Sequence, residues 1–259
     1  MALITFLSDF GLSDHYVASV KAKMLSVNPA LNIVDISHQI APYDIAHASF
    51  VLNSAFRDFP KGTVHLVSVN TTSNLSDGFI AVKLEEHIFL GANNGLLSMI
   101  SEHEPGIIVN IGGFHARNSN FPTRDILAPI AAKVASGQAI HDFGGPLPSI
   151  RRMMPRQFKA TKKQISGYVL RVDNYGNLIT NIRQDVFNTL NKNGEFNIVF
   201  GRESLQTIST NYDDVVNGEC FALFNSLGLL EIGISQGNGS ELLGLHYDSP
   251  VYVEFKQEG

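Results

Sequence analysis

The sequence contains few of the residues on which several protein classes depend. It has one cysteine, Cys220, among 259 residues, so no disulfide can form within the chain, as is usual for proteins of a reducing compartment. The apolar run from Cys220 to Phe224 indicates that this cysteine is a buried structural thiol rather than a nucleophile.

Charge and long apolar runs are also scarce. Charged residues make up 17% of the chain and the formal net charge is -5, so no basic face is available for binding nucleic acid. No apolar run approaches the roughly 18 residues of a membrane-spanning helix. The apolar N-terminus has no basic leader and resembles a first buried strand rather than a signal peptide. We therefore expect a cytoplasmic protein that binds neither nucleic acid nor membrane.

Common catalytic and metal-binding motifs are missing. The nine histidines are scattered, and none forms the His-x-x-x-His pair that binds a metal on one helix. The sequence also contains no Gly-x-Ser-x-Gly elbow, P-loop or Gly-x-Gly-x-x-Gly fingerprint. These absences predict a protein without a bound metal.

Residues 1–150 show strands alternating with helices. A short buried run at Ile4–Leu7 precedes a helical pattern near Tyr16–Val27, and Pro42–Phe59 has helical spacing as well. Phe79–Leu84 and Ile88–Ala92 are predicted to pair across a Glu-Glu-His turn. Alternation of this kind favours an α/β domain with a mainly parallel sheet covered by helices.

The pattern changes near the middle of the chain. Residues 151–164 are basic and are interpreted as a linker, with an anion-binding patch as the alternative. Beyond them, residues 165–259 contain short strand-like runs separated by Gly, Asn and Asp. This second domain is predicted to be a smaller all-β barrel or sandwich.

Two carboxylates, Asp9 and Asp14, follow the first predicted strand. Ligands of open α/β sheets bind beyond the carboxyl ends of the strands, where such a pair can bind a metal or hold the hydroxyls and amine of a ligand. Asp14 is equally consistent with an N-terminal cap of the next helix. Asp9 precedes the Gly11 turn, so a cap does not explain it, whereas a carboxylate there suits the two hydroxyls of a ribose.

Three further polar loops follow predicted strands. Val69–Asn74 offers hydroxyl and amide groups but no general base, and a surface turn explains it equally well. Asp173 and Asn177 flank a Tyr-Gly turn, so their side chains can converge, although ordinary Asx turns in a hairpin are the alternative. The glycine-containing segments 225–232 and 236–239 allow the backbone to approach a flat base closely.

Seven collinear blocks carry a resemblance to a known family. They are Ser-Asp-Phe-Gly-x-x-Asp at 8–14, Ile-Val-Asp-Ile-Ser-His at 33–38, Phe-Pro-x-Gly-Thr-Val-His at 59–65, Asn-Asn-Gly-Leu-Leu at 93–97, Arg-Asp-Ile-Leu-Ala-Pro at 124–129, Val-Asp-x-Tyr-Gly-Asn-Leu-Ile-Thr-Asn-Ile at 172–182 and Asn-Ser-x-Gly-x-Leu-Glu-Ile at 225–232. Their order and spacing resemble those of the S-adenosyl-L-methionine (AdoMet) hydroxide adenosyltransferases, which are relatives of the AdoMet-dependent fluorinase and chlorinase. The resemblance extends over nearly the whole chain.

This resemblance implies a Rossmann-like N-terminal domain, a C-terminal β-barrel and a homotrimer. AdoMet or adenosine would bind between one subunit's N-terminal domain and its neighbour's C-terminal domain, without a further cofactor. The implied contacts are Asp9 to the ribose hydroxyls, Asp14 and Asp173 to the methionine ammonium, Ser226 to its carboxylate, and Asn177, Asn238 and a stacking Tyr212 to adenine. A carboxylate-lined pocket suits a ligand that carries an ammonium and a sulfonium.

The chain departs from the family pattern at the residues that orient the attacking water. Hydrolytic members carry an Asp-Arg-His set, and this chain has Asn70, Asp77 and Pro122 at those positions. Asparagine is not a base near neutral pH, and the side chain of proline transfers no proton. Asn70, Ser73 and Thr123 are therefore the candidates that could form a small nucleophile pocket.

The chemistry that the resemblance implies is displacement at C5′ of AdoMet. Attack by water or hydroxide would give adenosine and L-methionine, chiefly through positioning and desolvation of the nucleophile. One alternative is a halide nucleophile, because the halide-using relatives also lack the Asp-Arg-His set. The other is a non-catalytic binder of AdoMet or adenosine that has lost the reactive corner.

Overall fold

The computed structural model describes residues 2–71, 78–111, 119–192 and 194–256. The chain forms two compact units, Met1–Pro155 and Arg156–Gly259. The boundary between the units falls within the segment 151–164 that the sequence predicts to be a linker.

In the described part of the first unit, seven strands form one sheet in the order β2-β1-β3-β5-β4-β6-β7. The strands are β1 (Leu3–Ser8), β2 (Asn32–Ser37), β3 (Val64–Ser68), β4 (Phe79–Leu84), β5 (His87–Ala92), β6 (Ile107–Ile111) and β7 (Gly144–Pro146). The helices are α1 (Tyr16–Val27), α2 (Ile45–Ala55) and α3 (Ala128–Ala135), with 3₁₀ turns at Phe56–Asp58, Leu96–Ser98 and Ile140–Phe143 and a π-helical turn at Thr123–Leu127.

This sheet is mixed, which corrects the expectation of a mainly parallel one. Strands β2, β1, β3 and β5 pair in parallel, whereas the β5-β4, β4-β6 and β6-β7 pairs are antiparallel. The physical reason is the tight turn at Glu85 and Glu86, whose φ angles are 48° and 66°. A two-residue turn can join only antiparallel strands, since parallel strands need a long crossover.

Successive side chains of a strand point to opposite faces of the sheet, so the sheet of the first unit has an apolar cluster on each face. On one face, Ile4 and Phe6 pack with Val20 of α1 and with residues of α3. On the other, Val67 and Ile80 pack with Leu52 of α2. Helix α2 begins where the Asp44 side chain accepts the His47 N–H at 2.9 Å, and residues 60–62 end the helical segment with proline and glycine.

The second unit contains an eight-stranded antiparallel sheet in its described residues. The strands are β8 (Lys159–Ala160), β9 (Gln164–Val172), β10 (Leu178–Arg183), β11 (Phe196–Phe200), β12 (Glu203–Leu205), β13 (Cys220–Phe224), β14 (Leu229–Ile234) and β15 (Pro250–Phe255), with helices α4 (Gln184–Leu190) and α5 (Gly239–Leu243). The path runs β12-β11-β15-β9-β10-β14-β13, and its two ends approach each other. The sheet is therefore nearly closed and barrel-like around one apolar core.

Candidate functional site

Asp9 lies directly after β1, at the carboxyl end of the parallel strands. Ser8 pairs with Ser68 of β3, and the Asp9 N–H donates to the Ser68 carbonyl at 3.3 Å. The Oδ2 atom of Asp9 accepts the backbone N–H groups of Tyr43 at 3.0 Å and Asn70 at 3.2 Å. Because both bonds end on Oδ2, the other oxygen, Oδ1, is the one through which Asp9 can accept bonds from a ligand.

Both backbone donors to Asp9 have a left-handed conformation. The φ angles are 66° at Tyr43 and 50° at Asn70, values that are uncommon for residues with side chains. Strained backbone of this kind concentrates at ligand sites, where the surrounding structure enforces it. The carboxylate of Asp9 thus fixes two loops that come from distant parts of the chain.

A chain of polar side chains, running from buried Ser8 and His38 to the more exposed Asp35 and Lys21, supports the loop that carries Asp9. The Ser8 hydroxyl lies 2.7 Å from His38 Nδ1, His38 Nε2 lies 3.1 Å from Asp35 Oδ1, and Lys21 donates to Asp35 Oδ2 at 2.5 Å. The His38 carbonyl also accepts the Gly11 N–H at 2.8 Å. Burial lowers the pKa of His38, although the adjacent carboxylate of Asp35 acts in the opposite direction.

The order Ser8, His38, Asp35 is that of a hydrolase triad, but its burial argues against nucleophilic chemistry. Ser8 is fully buried and His38 is 3% exposed, so the hydroxyl is not presented to a substrate. A nucleophilic serine must reach the reacting carbon. The group instead holds both ends of the turn from Ser8 to Gly11.

Thr123 lies at the same edge of the sheet as Asp9. It is completely buried, and its Oγ1 is 2.6 Å from the hydroxyl of Ser68, the last residue of β3. The π-helical turn Thr123–Leu127 leads directly into α3. Wide turns of this kind are frequent at functional sites. Since β1 and β3 are neighbours, the structure brings Thr123 and Asp9 to one end of two adjacent strands.

Aromatic packing joins these two segments. The ring of Phe10 lies 5.6 Å from that of Phe121 and 5.9 Å from that of Tyr16, and Tyr16 lies 5.6 Å from Phe121. Phe10 follows Asp9, and Phe121 precedes the Pro122-Thr123 pair. The three rings therefore connect the Asp9 loop to the Thr123 turn.

The remaining candidate residues of the first unit differ in their exposure and contacts, and some lie outside the described residues. Asp14 is exposed, and it does not cap α1, whose N-cap residue is His15 without a side-chain bond. Asn70 contributes its backbone N–H to Asp9. Ser73 and Asp77 lie outside the described residues.

In the second unit, Asp173 organises a local turn between β9 and β10. Its Oδ1 accepts the backbone N–H groups of Tyr175 and Asn177, both at 2.9 Å. The backbone closes the same turn, because the Asp173 N–H donates to the Asn177 carbonyl at 3.0 Å and the Gly176 N–H donates to the Asp173 carbonyl at 3.1 Å. The Asx turn that the sequence offers as an alternative is thus present, and it leaves Oδ2 for other partners.

A buried carboxylate, Glu231, lies behind this turn. It is 3% exposed, and it accepts the side-chain N–H groups of Asn177 at 3.0 Å and Asn225 at 2.9 Å. Burial, together with the negative charge of Glu231, raises the pKa of Tyr212. The cost of burying the Glu231 charge is offset by its two hydrogen bonds to the asparagine amides.

Four candidate residues of the second unit line one cavity. Its volume is about 920 Å³, within the range of small-molecule sites. The lining includes Asp173, Asn177, Tyr212 and Asn238 together with Phe221, Ser235, Gln236 and Gly237. The ring of Tyr212 meets that of Phe221 edge to face at 5.5 Å. The side chain of Asn238 also accepts the Glu241 N–H and so begins α5.

Ser226 is not among the residues that line this cavity. It is exposed in the turn between β13 and β14. The side-chain oxygen of Asn225 holds that turn by accepting the N–H groups of Leu227 at 3.0 Å and Leu229 at 3.2 Å. Asn225 in turn bonds to Glu231, so Ser226 is linked to the cavity wall through two residues.

Sequence reasoning gave no role to Glu231, although a signal was present. The residue stands between Leu230 and Ile232, and all three are buried in β14. A charged residue in a fully buried strand requires partners. Tyr43 carries no comparable signal, because its contribution to the site is a backbone N–H.

Neither a metal centre nor a membrane span is found in the described ranges. Within residues 2–71, 78–111, 119–192 and 194–256, no group of three or more His, Cys, Asp or Glu side chains could hold a metal ion. No helix in this part of the chain has the length and apolar character needed to cross a membrane.

Comparison with known proteins identifies two family domains. The family model for the SAM hydroxide adenosyltransferase N-terminal domain matches residues 4–144, and that for the C-terminal domain of the same family matches residues 167–252. SAM is another abbreviation of S-adenosyl-L-methionine.

Curated relatives cover most of the chain. An (R)-S-adenosyl-L-methionine hydrolase of Thermus thermophilus is 30% identical over 97% of this chain and 99% of its own length. A protein of the same name from Methanocaldococcus jannaschii is 29% identical over 97% and 95%. A fluorinase of an Actinoplanes species is 27% identical over 70% and 72%. Among solved structures, a conserved protein from Thermotoga maritima superposes with a TM-score of 0.88 at 31% identity, covering 96% of this chain and 99% of its own.

Proposed function

Because the chain belongs to the SAM hydroxide adenosyltransferase family, we propose that it cleaves AdoMet at C5′ to adenosine and L-methionine. The observation that carries the proposal is the match to both family domains in order, together with a hydrolase that is similar over 97% of the chain. Water is favoured over halide because the fluorinase match covers only 70% of the chain.

The reaction requires little covalent work from the protein. A bond forms between the water oxygen and C5′ while the C5′–S bond breaks, and the electron pair of that bond stays on sulfur. The sulfonium becomes the neutral thioether of methionine, and the proton of water passes to solvent. The protein contributes by aligning water with C5′ and by excluding other solvent, two effects that lower the barrier without a strong base.

In the first unit, we assign the ribose hydroxyls to Asp9. Its Oδ2 is occupied by two backbone N–H groups, which leaves Oδ1 to accept a hydroxyl. A hydrogen bond to an ionised acceptor contributes more than one between neutral groups. The fixed carboxylate therefore orients the ribose and its C5′.

The nucleophile is assigned to the edge of the sheet next to Asp9. Thr123 and Ser68 share a buried hydroxyl-hydroxyl bond of 2.6 Å, and Asn70 follows β3 at the same edge. Thr123 is completely buried, so its proposed part is to hold this edge of the sheet in the geometry in which the nucleophile binds. Ser73 remains a candidate from the sequence for the same pocket.

In the second unit, we assign adenine and the amino-acid end of the ligand to the cavity. The support is that Asp173, Asn177, Tyr212 and Asn238 all line it. Asp173 suits the methionine ammonium, with Asp14 as a second carboxylate, and Tyr212 suits stacking on adenine. Ser226 is the candidate for the methionine carboxylate.

Two architectural expectations belong to the same proposal. The parallel order β2-β1-β3, with β1 in the middle, supports a Rossmann-like half of the first unit. A homotrimer is the proposed assembly, and light scattering of the purified protein would give its mass directly.

The test is to incubate the protein with AdoMet in ¹⁸O-labelled water and to separate the products. We expect L-methionine and adenosine that carries the label at its 5′ oxygen, and we expect Asp9→Asn to lower both. A parallel reaction in chloride tests for 5′-chloro-5′-deoxyadenosine, whose formation in place of adenosine would identify a halide as the nucleophile. Calorimetric binding of AdoMet without any product above buffer would reject the enzymatic proposal in favour of a binding protein.

A further inference from the structure

Glu231 is connected to two loops of the second unit that carry candidate ligand residues. Through Asn177 it contacts the Asp173 turn, and through Asn225 it contacts the turn that carries Ser226. Its charge also acts on the hydroxyl of Tyr212, a residue that lines the cavity. One buried carboxylate in β14 therefore holds two separate segments, the β9–β10 turn and the β13–β14 turn.

The bonds to Asn177 also determine which way its amide faces. The Nδ2 atom lies 3.0 Å from Glu231 Oε1 and 3.4 Å from Asp173 Oδ2. Ionised carboxylates only accept hydrogen bonds. Turning the amide over would place its oxygen against two carboxylate oxygens, so Nδ2 must face them and Oδ1 must face away.

The position of Oδ1 is at the cavity wall. A Cβ at Gly233 would lie 2.4 Å from Asn177 Oδ1, so the absence of a side chain at Gly233 leaves room for this oxygen. Phe221, which pairs with Gly233, and Ile234, which follows it, both line the cavity, as does Asn177 itself. A ligand in the cavity thus meets a fixed acceptor rather than a rotating amide.

We propose that Glu231 is a positioning residue that fixes the Asn177 amide oxygen toward the ligand, so that the cavity selects a 6-aminopurine nucleoside over a 6-oxopurine nucleoside. This inference rests on the proposed function, because it assumes that the purine occupies this cavity. The exocyclic amine of a 6-aminopurine can donate a hydrogen bond to Asn177 Oδ1. The 6-oxo group of the other purine is itself an acceptor, so it would face Oδ1 without forming a hydrogen bond. A site built to bond one polar group discriminates strongly against an analogue that cannot make the bond.

The first measurement is the binding of adenosine and of inosine to the full-length protein by calorimetry. We expect adenosine to bind at least about tenfold more tightly than inosine. Equal affinity for the two nucleosides would overturn the inference while leaving the proposed function intact. Failure of both AdoMet and adenosine to bind would instead overturn the proposed function.

The second measurement uses Glu231→Gln and a matched control. The new amide places a donor against Asn177 or Asn225, so one of them must turn, and the preference for adenosine should fall to within about threefold. Glu254→Gln changes a glutamate of the same unit that is exposed in β15, and it should keep the preference of the natural protein. A folded Glu231→Gln protein with unchanged preference would overturn the inference, because a purely structural role moves stability but not this ratio.

Two further readouts keep the inference testable if Glu231→Gln does not fold. Asn177→Ser removes the fixed oxygen and should abolish the preference, so a retained preference would contradict the inference. Tyrosine titration by absorbance gives an independent signature. Seven tyrosines and no tryptophan are present, and comparison with Tyr212→Phe identifies the tyrosine whose pKa is raised by burial and by the charge of Glu231.

Discussion

The two units hold a candidate ligand-binding carboxylate by different means. Asp9 accepts backbone N–H groups from residues 34 and 61 positions away in the chain. Asp173 accepts them from residues 2 and 4 positions away. In each carboxylate, one oxygen accepts two backbone N–H groups. Only for Asp173 do both donors belong to the same turn as the carboxylate. The first unit therefore depends on tertiary structure for its binding geometry, and the second depends on local structure.

The largest expected effect follows from removing these carboxylates. Asp9→Ala leaves two backbone donors without their acceptor and releases two loops, so we expect AdoMet affinity to fall about 100-fold. Asp173→Ala should cost about tenfold, because backbone bonds still close its turn. Isothermal titration with AdoMet measures both values.

Asp142→Ala is the control for this comparison, since Asp142 is an exposed aspartate of the first unit outside the site. It should bind AdoMet as the natural protein does. Equal losses of AdoMet affinity in Asp9→Ala and Asp173→Ala would contradict the distinction between a carboxylate held by distant residues and one held by its own turn.

The units should also differ in their response to acid. In the first unit, the His65 ring lies between Thr5 and His87, at 2.7 and 3.1 Å. Burial lowers the pKa of His65 to about 3 and lowers that of His87 as well. The folded unit thus resists protonation, whereas unfolded histidine takes up a proton near pH 6.5. Stability is present above that pH and declines as the pH falls, by about 2 kcal/mol for His65 between pH 7.5 and 5.

Hydrogen exchange with mass spectrometry separates the two units in this experiment. After correction for intrinsic rates, protection of β1 and β3 should decrease at pH 5 more than that of β9 and β10. The described histidine of the second unit, His246, is exposed, so His246→Gln should leave the pH response unchanged. Equal acid sensitivity of the two units would show that the buried histidines do not control it.

The contrast between local and tertiary contacts also explains what the sequence could predict. The helix Tyr16–Val27 and the strand Phe79–Leu84 occur at their predicted bounds, because apolar spacing and turn residues define them locally. Membership of the family is confirmed by the matches to both domains. The two-unit α/β-plus-β architecture is confirmed at that level of detail.

Features that depend on distant residues were not predictable from the sequence. Strands β6 and β7 add the antiparallel pairs β4-β6 and β6-β7 to the mixed sheet of the first unit, and neither strand was expected. The link from Asp9 to Tyr43 runs through a backbone N–H, which no side-chain pattern records. By contrast, the Asx turn at Asp173 was foreseen as an alternative, since its donors lie within four residues.

The smallest expected effect is that of Thr123→Val, which tests whether the nucleophile is bound in the first unit. Thr123→Val preserves shape but removes the buried hydroxyl that bonds to Ser68, so kcat for AdoMet cleavage should fall about tenfold with little change in affinity. Thr180→Val is the matched control, because Thr180 is also fully buried and donates to the Leu230 carbonyl at 2.8 Å. It should lower the unfolding temperature while kcat stays near that of the natural protein. If both variants reduced kcat equally, the hydroxyl of Thr123 would be serving packing alone, and the nucleophile would have to be bound elsewhere.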